Sequence, residues 1–281
     1  MRSPRGLLRA RGIRPRKSMG QHFLADPNVA ALIVRQAQFM PDDVVLEIGS
    51  GLGALTLPLA REAKHVLAVE PDRIIASLLR SEILTAGASN VTIIEKDILQ
   101  LDIEALAEES DASLKVIGNL PYHISSQVLI RLIRFREVID AAFLMFQKEV
   151  AKRLAAKPGN KCYGRLSVLI QYCAKICPLV SVAAPAFFPK PKVDSQVVGI
   201  EFHHPVSLQA TDESLLFRTV KAAFGKRRKT LKNALAGGDL GFGDKGISTA
   251  LERAGIDPRR RAETLSVQEF VTLSNLLSLT H

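Results

Sequence analysis

Hydrophobic positions set the organisation of this chain from about residue 28 onward. Asp26-Pro27 predicts a helix start, and apolar positions at 29–37 recur at helical spacing. Short apolar runs rich in β-branched residues then alternate with helical patterns. The predicted strands are 44–48, 66–69, 91–94, 115–117 and 141–146. One predicted helix ends near residue 63, and two others span 72–84 and 125–135. This alternation predicts a parallel sheet covered by helices on both faces.

The pattern changes in the second half of the chain. The predicted elements there are a helix at 164–173, a strand at 193–202, and helices near 215–224, 247–254 and 267–277. Three prolines predict that 186–192 lie outside any regular element, and His203-His204-Pro205 interrupts the pattern again. We therefore expect an N-terminal arm (1–20), an α/β domain (21–205) and a small all-α domain (206–281).

Charge is unevenly distributed along the 281 residues, whose net charge is +10. Residues 1–20 carry seven Lys and Arg and no acid, 21–205 carry 19 against 20, and 206–281 carry 12 against 8. A neutral middle between basic flanks predicts a polyanionic partner. The arm is expected to be flexible and to contact phosphates, with a solvated tail or an organelle transit peptide as alternatives.

Composition also argues against several classes of protein. No run of about 18 apolar residues is present, so no transmembrane helix is expected. Cys162, Cys173 and Cys177 have neither paired spacing nor a nearby histidine cluster. They therefore predict reduced thiols rather than a disulfide or a zinc site. We expect a cytoplasmic monomer without a bound metal.

Polar residues follow the predicted strands at the edge where α/β sheets bind their ligands. The first strand leads into Glu47-Ile48-Gly49-Ser50-Gly51-Leu52-Gly53, whose glycines would let the backbone approach a ligand closely. Glu70 ends the second strand, where it could accept hydrogen bonds from a ribose diol. Asp97 follows the third strand and could accept from an adenine amino group. Asn119 follows the fourth.

The segment Asn119-Leu120-Pro121-Tyr122 has the chemistry of a clamp for an amino group on a flat ring. The Asn119 amide oxygen and a neighbouring main-chain carbonyl can accept both hydrogens of one NH2 group. Pro121 fixes its own φ and favours an extended Leu120, and Tyr122 offers an aromatic face for a base. The alternative is a tight turn after a buried strand, since Asn and Pro are common turn residues.

Two kinds of cofactor fit the glycine-containing run. Gly49, Gly51 and Ala54 satisfy a dinucleotide fingerprint, and Glu70 follows at about the 20-residue distance that this fingerprint requires. Against a dinucleotide, Glu47 places a carboxylate where a cationic group could be held, and no hydride-transfer constellation follows. Asp97 adds a partner for adenine. A nucleoside bearing a cationic amino acid fits better, and we therefore favour S-adenosylmethionine.

Six separated motifs carry a resemblance to a known family. They are Gly20-Gln21-His22-Phe23-Leu24, the runs from Glu47 and from Asn119 given above, Phe187-Phe188-Pro189-Lys190-Pro191-Lys192-Val193-Asp194-Ser195, Arg227-Arg228-Lys229-Thr230-Leu231, and Arg261-Ala262-Glu263-Thr264-Leu265-Ser266. Through them the chain resembles, from about Lys17 to its end, the KsgA/Dim1 family of ribosomal RNA adenine dimethyltransferases. The resemblance implies a Rossmann-like class I S-adenosylmethionine-dependent methyltransferase sheet followed by a small helical domain.

The resemblance also implies roles for individual residues. The positions that match S-adenosylmethionine ligands in the family are His22, Leu24, Gly49, Glu70, Asp97 and Asn119. The segment from Asn119 to Tyr122 would also hold the target adenine, and Phe188 resembles the aromatic residue that closes over its other face. Many relatives have Asn at the position of His22, so contact through the ring nitrogen or through the backbone both stay open. The expected reaction is dimethylation at N6 of two adjacent adenosines in a hairpin near the 3′ end of small-subunit rRNA.

The basic run Lys226-Arg227-Arg228-Lys229 is the candidate RNA-binding element. Phe224, Leu231 and Leu235 flank it at near-helical spacing, so that one face could pack while the charges face phosphates. The alternative is a solvated charge run. Two other functions stay open: a large-subunit rRNA adenine methyltransferase of the macrolide-resistance type, and a ribosome-assembly factor that only binds RNA. The expected partner is small-subunit rRNA in an assembling particle.

Overall fold

The computed structural model describes residues 3–204, 206, 208–226 and 228–279. The chain forms two compact units. The first comprises Met1–Ala151 and Cys177–Phe202, and the second comprises Lys152–Ile176 and His203–His281. The second unit therefore takes in a segment from the middle of the chain in addition to the C-terminal helices.

Nine strands form two sheets within the described residues. They are β1 Phe23–Leu24, β2 Val44–Ile48, β3 His65–Val69, β4 Val91–Ile94, β5 Leu114–Asn119, β6 Ile139–Gln147, β7 Ala174–Val182, β8 Phe187–Phe188 and β9 Ser195–Phe202. The large sheet has the order β4-β3-β2-β5-β6-β9-β7, and β1 pairs with β8 in a separate two-stranded sheet. Strands β4, β3, β2, β5 and β6 are parallel, whereas β9 runs antiparallel to β6. The sheet is thus mixed rather than purely parallel as predicted.

Strand β2 lies at the centre of the parallel part, and all five of its residues are buried. Such a continuous apolar run is typical of a parallel strand that is covered on both faces. Ile48 at its end is in register with Val69 of β3 and with Gly118 of β5. The three strands therefore end together, which places the polar residues that follow them at one edge of the sheet.

Seven helices begin in the described part of the first unit. They are α1 Pro4–Ala10, α2 Pro27–Ala37, α3 Thr56–Glu62, α4 Arg73–Ala86, α5 Ile103–Ser110, α6 Ser125–Arg134 and α7 Lys148–Leu154. Asp26 and Asp72 cap α2 and α4 by accepting hydrogen bonds from backbone N–H groups of the first turn, as N-cap carboxylates commonly do. The helix predicted at 29–37 is confirmed, with its start at Pro27.

The prediction of a flexible N-terminal arm is wrong over Pro4–Ala10. Ser3 caps α1 by accepting from Gly6 N at 3.1 Å, and Pro4 occupies the first turn. Leu8 is only 1% exposed and belongs to an apolar cluster with Phe23 and Leu52. The sequence contains the pattern of a helix start and an apolar pair, but the many arginines around them led to the prediction of a flexible arm.

The prediction that 186–192 form no regular element is wrong for 186–188 and confirmed for 189–192, which lie outside any helix or strand. Phe187–Phe188 form β8, which pairs with β1 in the register Phe23 to Phe188 and Leu24 to Phe187. Strand β7 was not predicted at all. It contains Pro178, a residue that weakens a strand signal, and it occupies the edge position where a proline is tolerated.

The second unit contains five further helices among the residues described. They are α8 Arg165–Cys173, α9 Glu213–Gly225, α10 Leu231–Ala236, α11 Asp244–Arg253 and α12 Val267–Ser278. Their core includes Phe270, which is fully buried and lies 5.9 Å from the ring of Phe224. Ser266 and Glu269 form a capping box at the start of α12, which satisfies backbone donors at both positions.

Candidate active site

A cavity opens in the first unit where β2, β3 and β5 end. Its lining comes from four stretches of the chain: 19–24, 47–55 without 48 and 53, 70–71, and 119–122. Ten of the predicted site residues are brought together here, namely His22, Leu24, Glu47, Gly49, Gly51, Glu70, Asn119, Leu120, Pro121 and Tyr122. Their contributions to binding and catalysis stay predictions.

The glycine loop (residues 49–53) requires its glycines. Gly49, Gly51 and Gly53 have φ values of +72°, +55° and +87°, a region that other residues rarely adopt. A Cβ on Gly53 would lie 2.8 Å from Leu79 Cδ1, which is closer than packing allows. Gly49 N donates to Val69 O at 2.9 Å, so the loop is tied to the end of β3. At Gly49 and Gly51 the loop therefore presents backbone alone to the cavity.

Glu47 is a buried carboxyl in the cavity wall. It is 1% exposed, and Thr56 Oγ1 donates a hydrogen bond of 2.6 Å to its Oε2. Burial raises the pKa of Glu47 to about 8, although the Thr56 hydrogen bond opposes this change; the nearby Glu70 adds to the rise. A cationic group beside Glu47 would favour its ionised form. The site thus offers a buried carboxyl that would ionise when a positively charged ligand binds beside it.

The Glu70 carboxylate links the glycine loop to the N-terminal end of α4. Its Oε2 accepts from Gly51 N at 3.0 Å, and its Oε1 accepts from Asp72 N at 3.0 Å. Burial raises the pKa of Glu70 to about 7 despite these two hydrogen bonds. Each carboxylate oxygen has a second lone pair, so Glu70 can also accept from hydroxyl groups of a ligand.

Asn119 is oriented by a backbone contact with the N-terminal wall. Its Nδ2 donates to the carbonyl oxygen of His22 at 2.8 Å. Since the NH2 end of the amide is used in this bond, Oδ1 is the end that can accept from a ligand amino group. This orientation is the one that the predicted clamp requires. The contact also makes the backbone of His22, not only its ring, part of the site.

The ring of Tyr122 is held at its hydroxyl and approached on one side by His22. Tyr122 Oη lies 2.8 Å from Ser195 Oγ, and the His22 ring lies 5.8 Å from the Tyr122 ring at an interplanar angle of 25°. His22 Nδ1 lies 2.7 Å from Pro189 O. Because a carbonyl oxygen only accepts, Nδ1 is the donor, and Nε2 is left as the acceptor of the neutral ring.

Two predicted site residues are absent from the cavity lining described above. Asp97 Oδ1 accepts from Leu99 N at 2.9 Å and caps a short helical turn. Phe188 is paired with Phe23 and packs against the apolar cluster that contains Leu8 and Leu52. Their assignments to adenine binding therefore rest on the resemblance.

The predicted RNA-binding run lies in the second unit, between α9 and α10. Lys226, Arg228 and Lys229 are exposed, and Lys229 N donates to Lys226 O at 2.9 Å in a turn. Arg227 falls outside the described residues. Leu231 and Leu235 are fully buried, so the exposed charges are carried on a turn that apolar side chains anchor.

Sequence reasoning assigned no role to three residues that support the site. Thr56 binds Glu47, Ser195 binds Tyr122, and Gln21 Nε2 donates to Asp72 Oδ2 at 3.0 Å. Ser195 and Gln21 lie inside motifs that were noticed, but their partners are 73 and 51 residues away. Only the fold could reveal those pairs.

No helix in the described part of the chain is both long and apolar enough to cross a membrane. No group of three or more His, Cys, Asp or Glu side chains in that part could hold a metal ion.

Comparison with known proteins gives matches that span both units. A family model described as ribosomal RNA adenine dimethylase matches residues 12–279. The ribosomal RNA small subunit methyltransferase A of Desulforapulum autotrophicum is 47% identical over 281 residues, which cover 100% of this chain and 98% of that protein.

Solved structures match over similar lengths. A dimethyladenosine transferase from Plasmodium falciparum has a TM-score of 0.77 and 27% identity, covering 90% of this chain and 96% of the other. The 23S rRNA methyltransferase ErmE has a TM-score of 0.68 and 24% identity, covering 91% and 99%. At that identity the second match bears on the fold alone.

Proposed function

This chain belongs to the ribosomal RNA adenine dimethylase family, and from that premise we propose that it methylates N6 of two adjacent adenosines near the 3′ end of small-subunit rRNA. Each adenosine receives two methyl groups from S-adenosylmethionine, which gives N6,N6-dimethyladenosine in a hairpin. The observation that carries the proposal is the oriented amide of Asn119, which lies in the same cavity as the glycine loop and Glu70.

The cavity residues fit S-adenosylmethionine by their chemistry. Glu47 is a buried carboxyl suited to a cationic amino-acid group, and Glu70 has free lone pairs for a ribose diol. The glycine loop offers backbone at close approach, and the resemblance adds His22 and Leu24 from the N-terminal wall. The cofactor supplies a methyl group on a sulfonium centre, which is already strongly electrophilic.

Catalysis by this chain is mainly a matter of positioning. The Asn119 Oδ1 and the Leu120 carbonyl would accept the two N6 hydrogens of adenine. These bonds would draw the hydrogens out of the ring plane and free the N6 lone pair to attack the methyl group that a bound cofactor would supply, with the sulfur as the leaving group. The product ammonium is acidic enough to lose its proton to solvent, so no strong general base is required.

The target adenine must leave its stack in the RNA to reach this cavity, as in other enzymes that modify bases. Tyr122 offers the face on which the base would lie, and its hydroxyl bond to Ser195 limits rotation of the ring. Phe188 would cover the other face, following the resemblance. A second methylation requires N6-methyladenine to rotate and re-enter with its one remaining N6 hydrogen directed at one of these two acceptors.

The finer parts of the proposal concern the partner and the setting. We propose that the substrate is an assembling small-subunit particle, that the basic flanks and the exposed Lys226, Arg228 and Lys229 contact its phosphates, and that the enzyme acts as a monomer in the cytoplasm. The uneven charge supports the contact of the basic flanks with phosphates. None of the three cysteines forms a disulfide, in keeping with a reducing compartment.

The test is a mapping experiment with methyl-labelled S-adenosylmethionine. The enzyme is incubated separately with unmodified small-subunit particles and with large-subunit rRNA, and the products are digested to nucleosides and mapped. Dimethyladenosine at two adjacent positions near the small-subunit 3′ end is the expected result. Label on large-subunit rRNA alone would show that this enzyme modifies large-subunit rRNA, as expected for the macrolide-resistance type. Binding of cofactor and particle without any label would make the chain an assembly factor.

A further inference from the structure

Gln21 lies in the first of the six motifs, but it has no role in the proposed reaction. It is half-buried and makes two side-chain hydrogen bonds. Its Oε1 accepts from Arg16 N at 2.8 Å, and its Nε2 donates to Asp72 Oδ2 at 3.0 Å. The same Asp72 oxygen lies 3.4 Å from Arg16 Nη1. Gln21 and Arg16 therefore converge on one buried carboxylate.

Asp72 directly follows Glu70 and Pro71, which line the cavity. Its Oδ1 caps α4 by accepting from Ile74 N at 3.1 Å, and its own N–H donates to Glu70 Oε1. Glu70 in turn accepts from Gly51 N in the glycine loop. A continuous path of hydrogen bonds thus runs from Gln21 through Asp72 and Glu70 to the loop.

The N-terminal wall (residues 19–24) contains Gln21 and closes one side of the cavity. The wall is also held by the pairing of β1 with β8, by His22 Nδ1, which lies 2.7 Å from Pro189 O, and by the His22 carbonyl, which accepts from Asn119 Nδ2. The ring of Phe23 packs in the same apolar cluster as Leu52. Among these contacts, the Gln21 side chain is the one that connects the wall to Glu70 and the glycine loop, through Asp72.

We propose that Gln21 and Asp72 are positioning residues that hold the N-terminal wall closed over the cofactor cavity and thereby set the affinity for S-adenosylmethionine. We call this pair the latch. The inference rests on the proposed function, because it assigns the latch to the cofactor of that reaction. Bound cofactor would itself support the wall, so the latch should matter for binding and much less for turnover at saturation.

The test exchanges the donor and the acceptor of the latch. Gln21→Glu removes the N–H donor and sets two carboxylates against each other. Asp72→Asn in the wild-type background sets two NH2 groups against each other, because Oδ1 stays engaged as the cap of α4. The double variant restores one donor and one acceptor, and Asn is as good an N-cap as Asp. Gln36→Glu, at an exposed site on α2, is the matched control for the charge change.

Binding of S-adenosylmethionine is measured by titration calorimetry, and kcat and KM are measured on the RNA substrate. Each single variant should bind the cofactor about tenfold more weakly, which is what one charge-assisted hydrogen bond typically contributes. The double variant should recover to within about threefold, as expected for two coupled positions. The value of kcat should stay near that of wild type while KM for the cofactor rises, and Gln36→Glu should match wild type throughout.

Other outcomes are equally decisive. The proposal for the latch would be overturned if the single variants bound S-adenosylmethionine as tightly as wild type. It would also be overturned if the double variant bound the cofactor no better than the weaker single variant. Wild-type protein that binds no S-adenosylmethionine would instead overturn the proposed function. Should Gln21→Glu fail to fold, Gln21→Ala removes the same donor without adding charge and carries the same expectation for KM.

Discussion

At the scale of single residues, Asn119 makes the sharpest prediction. Asn119→Ala should lower the rate of methyl transfer by at least about 100-fold, the loss seen when a hydrogen-bonding group that orients a reaction is removed. The affinity for S-adenosylmethionine should fall far less than the rate, because the glycine loop, Glu47 and Glu70 are untouched and only the bond to the His22 carbonyl is lost from the wall. Single-turnover rates and calorimetric binding separate the two effects.

Asn28→Ala removes an exposed amide from the same unit and serves as the control for Asn119→Ala. It should leave both the transfer rate and the cofactor affinity at wild-type values. Near-normal turnover by Asn119→Ala would remove that residue from the clamp, whatever its effect on binding.

Glu47 predicts how stability depends on pH. Its native pKa of about 8 lies above the ordinary value of 4.5, so the native state keeps a proton that the unfolded state has lost. The free energy of unfolding should therefore fall as pH rises between about 4.5 and 8, by up to about 1.4 kcal/mol per pH unit from this group, and level off above pH 8.

Glu47→Gln keeps an acceptor for the Thr56 hydroxyl and removes the titration. Urea unfolding of the cofactor-free protein at several pH values should show a shallower slope for this variant than for wild type. The remaining slope reports Glu70, whose pKa is raised to about 7. Identical slopes in the two proteins would mean that Glu47 is not buried as described.

The same residues show how far the sequence could predict the site. Glu47, Glu70 and Asn119 were identified because parallel strands end at one edge, so that residues after each strand must meet. Strand periodicity contains no information on what contacts a loop from elsewhere in the chain. The hydrogen bonds of Asn119 to His22 and of Tyr122 to Ser195 therefore required the fold.

At the scale of elements, the buried strands were predictable and the peripheral ones were not. Strand β2 is apolar throughout apart from Glu47, and its bounds were predicted correctly. Strand β7 lies at a sheet edge, and β8 forms a two-residue pair with β1. At both places partner strands rather than local sequence stabilise the extended backbone. Helix α1 was hidden for a different reason, since its apolar residues stand between arginines.

Helix α1 also supports a prediction about stability. Leu8 is 1% exposed in the cluster beneath the cofactor cavity, so Leu8→Ala should lower the free energy of unfolding by about 2–4 kcal/mol. Leu84 on α4 is 76% exposed, and Leu84→Ala should cost less than about 0.5 kcal/mol. Chemical denaturation measures both. Equal, small losses of unfolding free energy in the two variants would show that the arm is flexible, as its charge predicted.

At the scale of the whole molecule, the chain divides its tasks between two units. The first unit carries the cavity and has balanced charge, with 20 basic and 20 acidic residues, whereas the second unit has 18 basic and 8 acidic residues and so carries the whole net charge of +10. Charges that contact RNA phosphates release counterions, so their contribution to binding is recognised by its dependence on salt. Cofactor binding should not share that dependence.

The double substitution Arg228→Gln with Lys229→Gln tests this division. Affinity for small-subunit particles should fall, and the slope of log K against log salt should become shallower by about 0.7–0.9 for each phosphate that the protein no longer neutralises. Lys245→Gln with Arg253→Gln removes the same net charge from exposed positions on α11 of the same unit and should leave the slope unchanged. Binding measured from low to moderate salt separates the two pairs. Equal slopes for all three proteins would make the run a solvated surface, whereas a change confined to the first pair would assign the phosphate-binding role to the turn between α9 and α10.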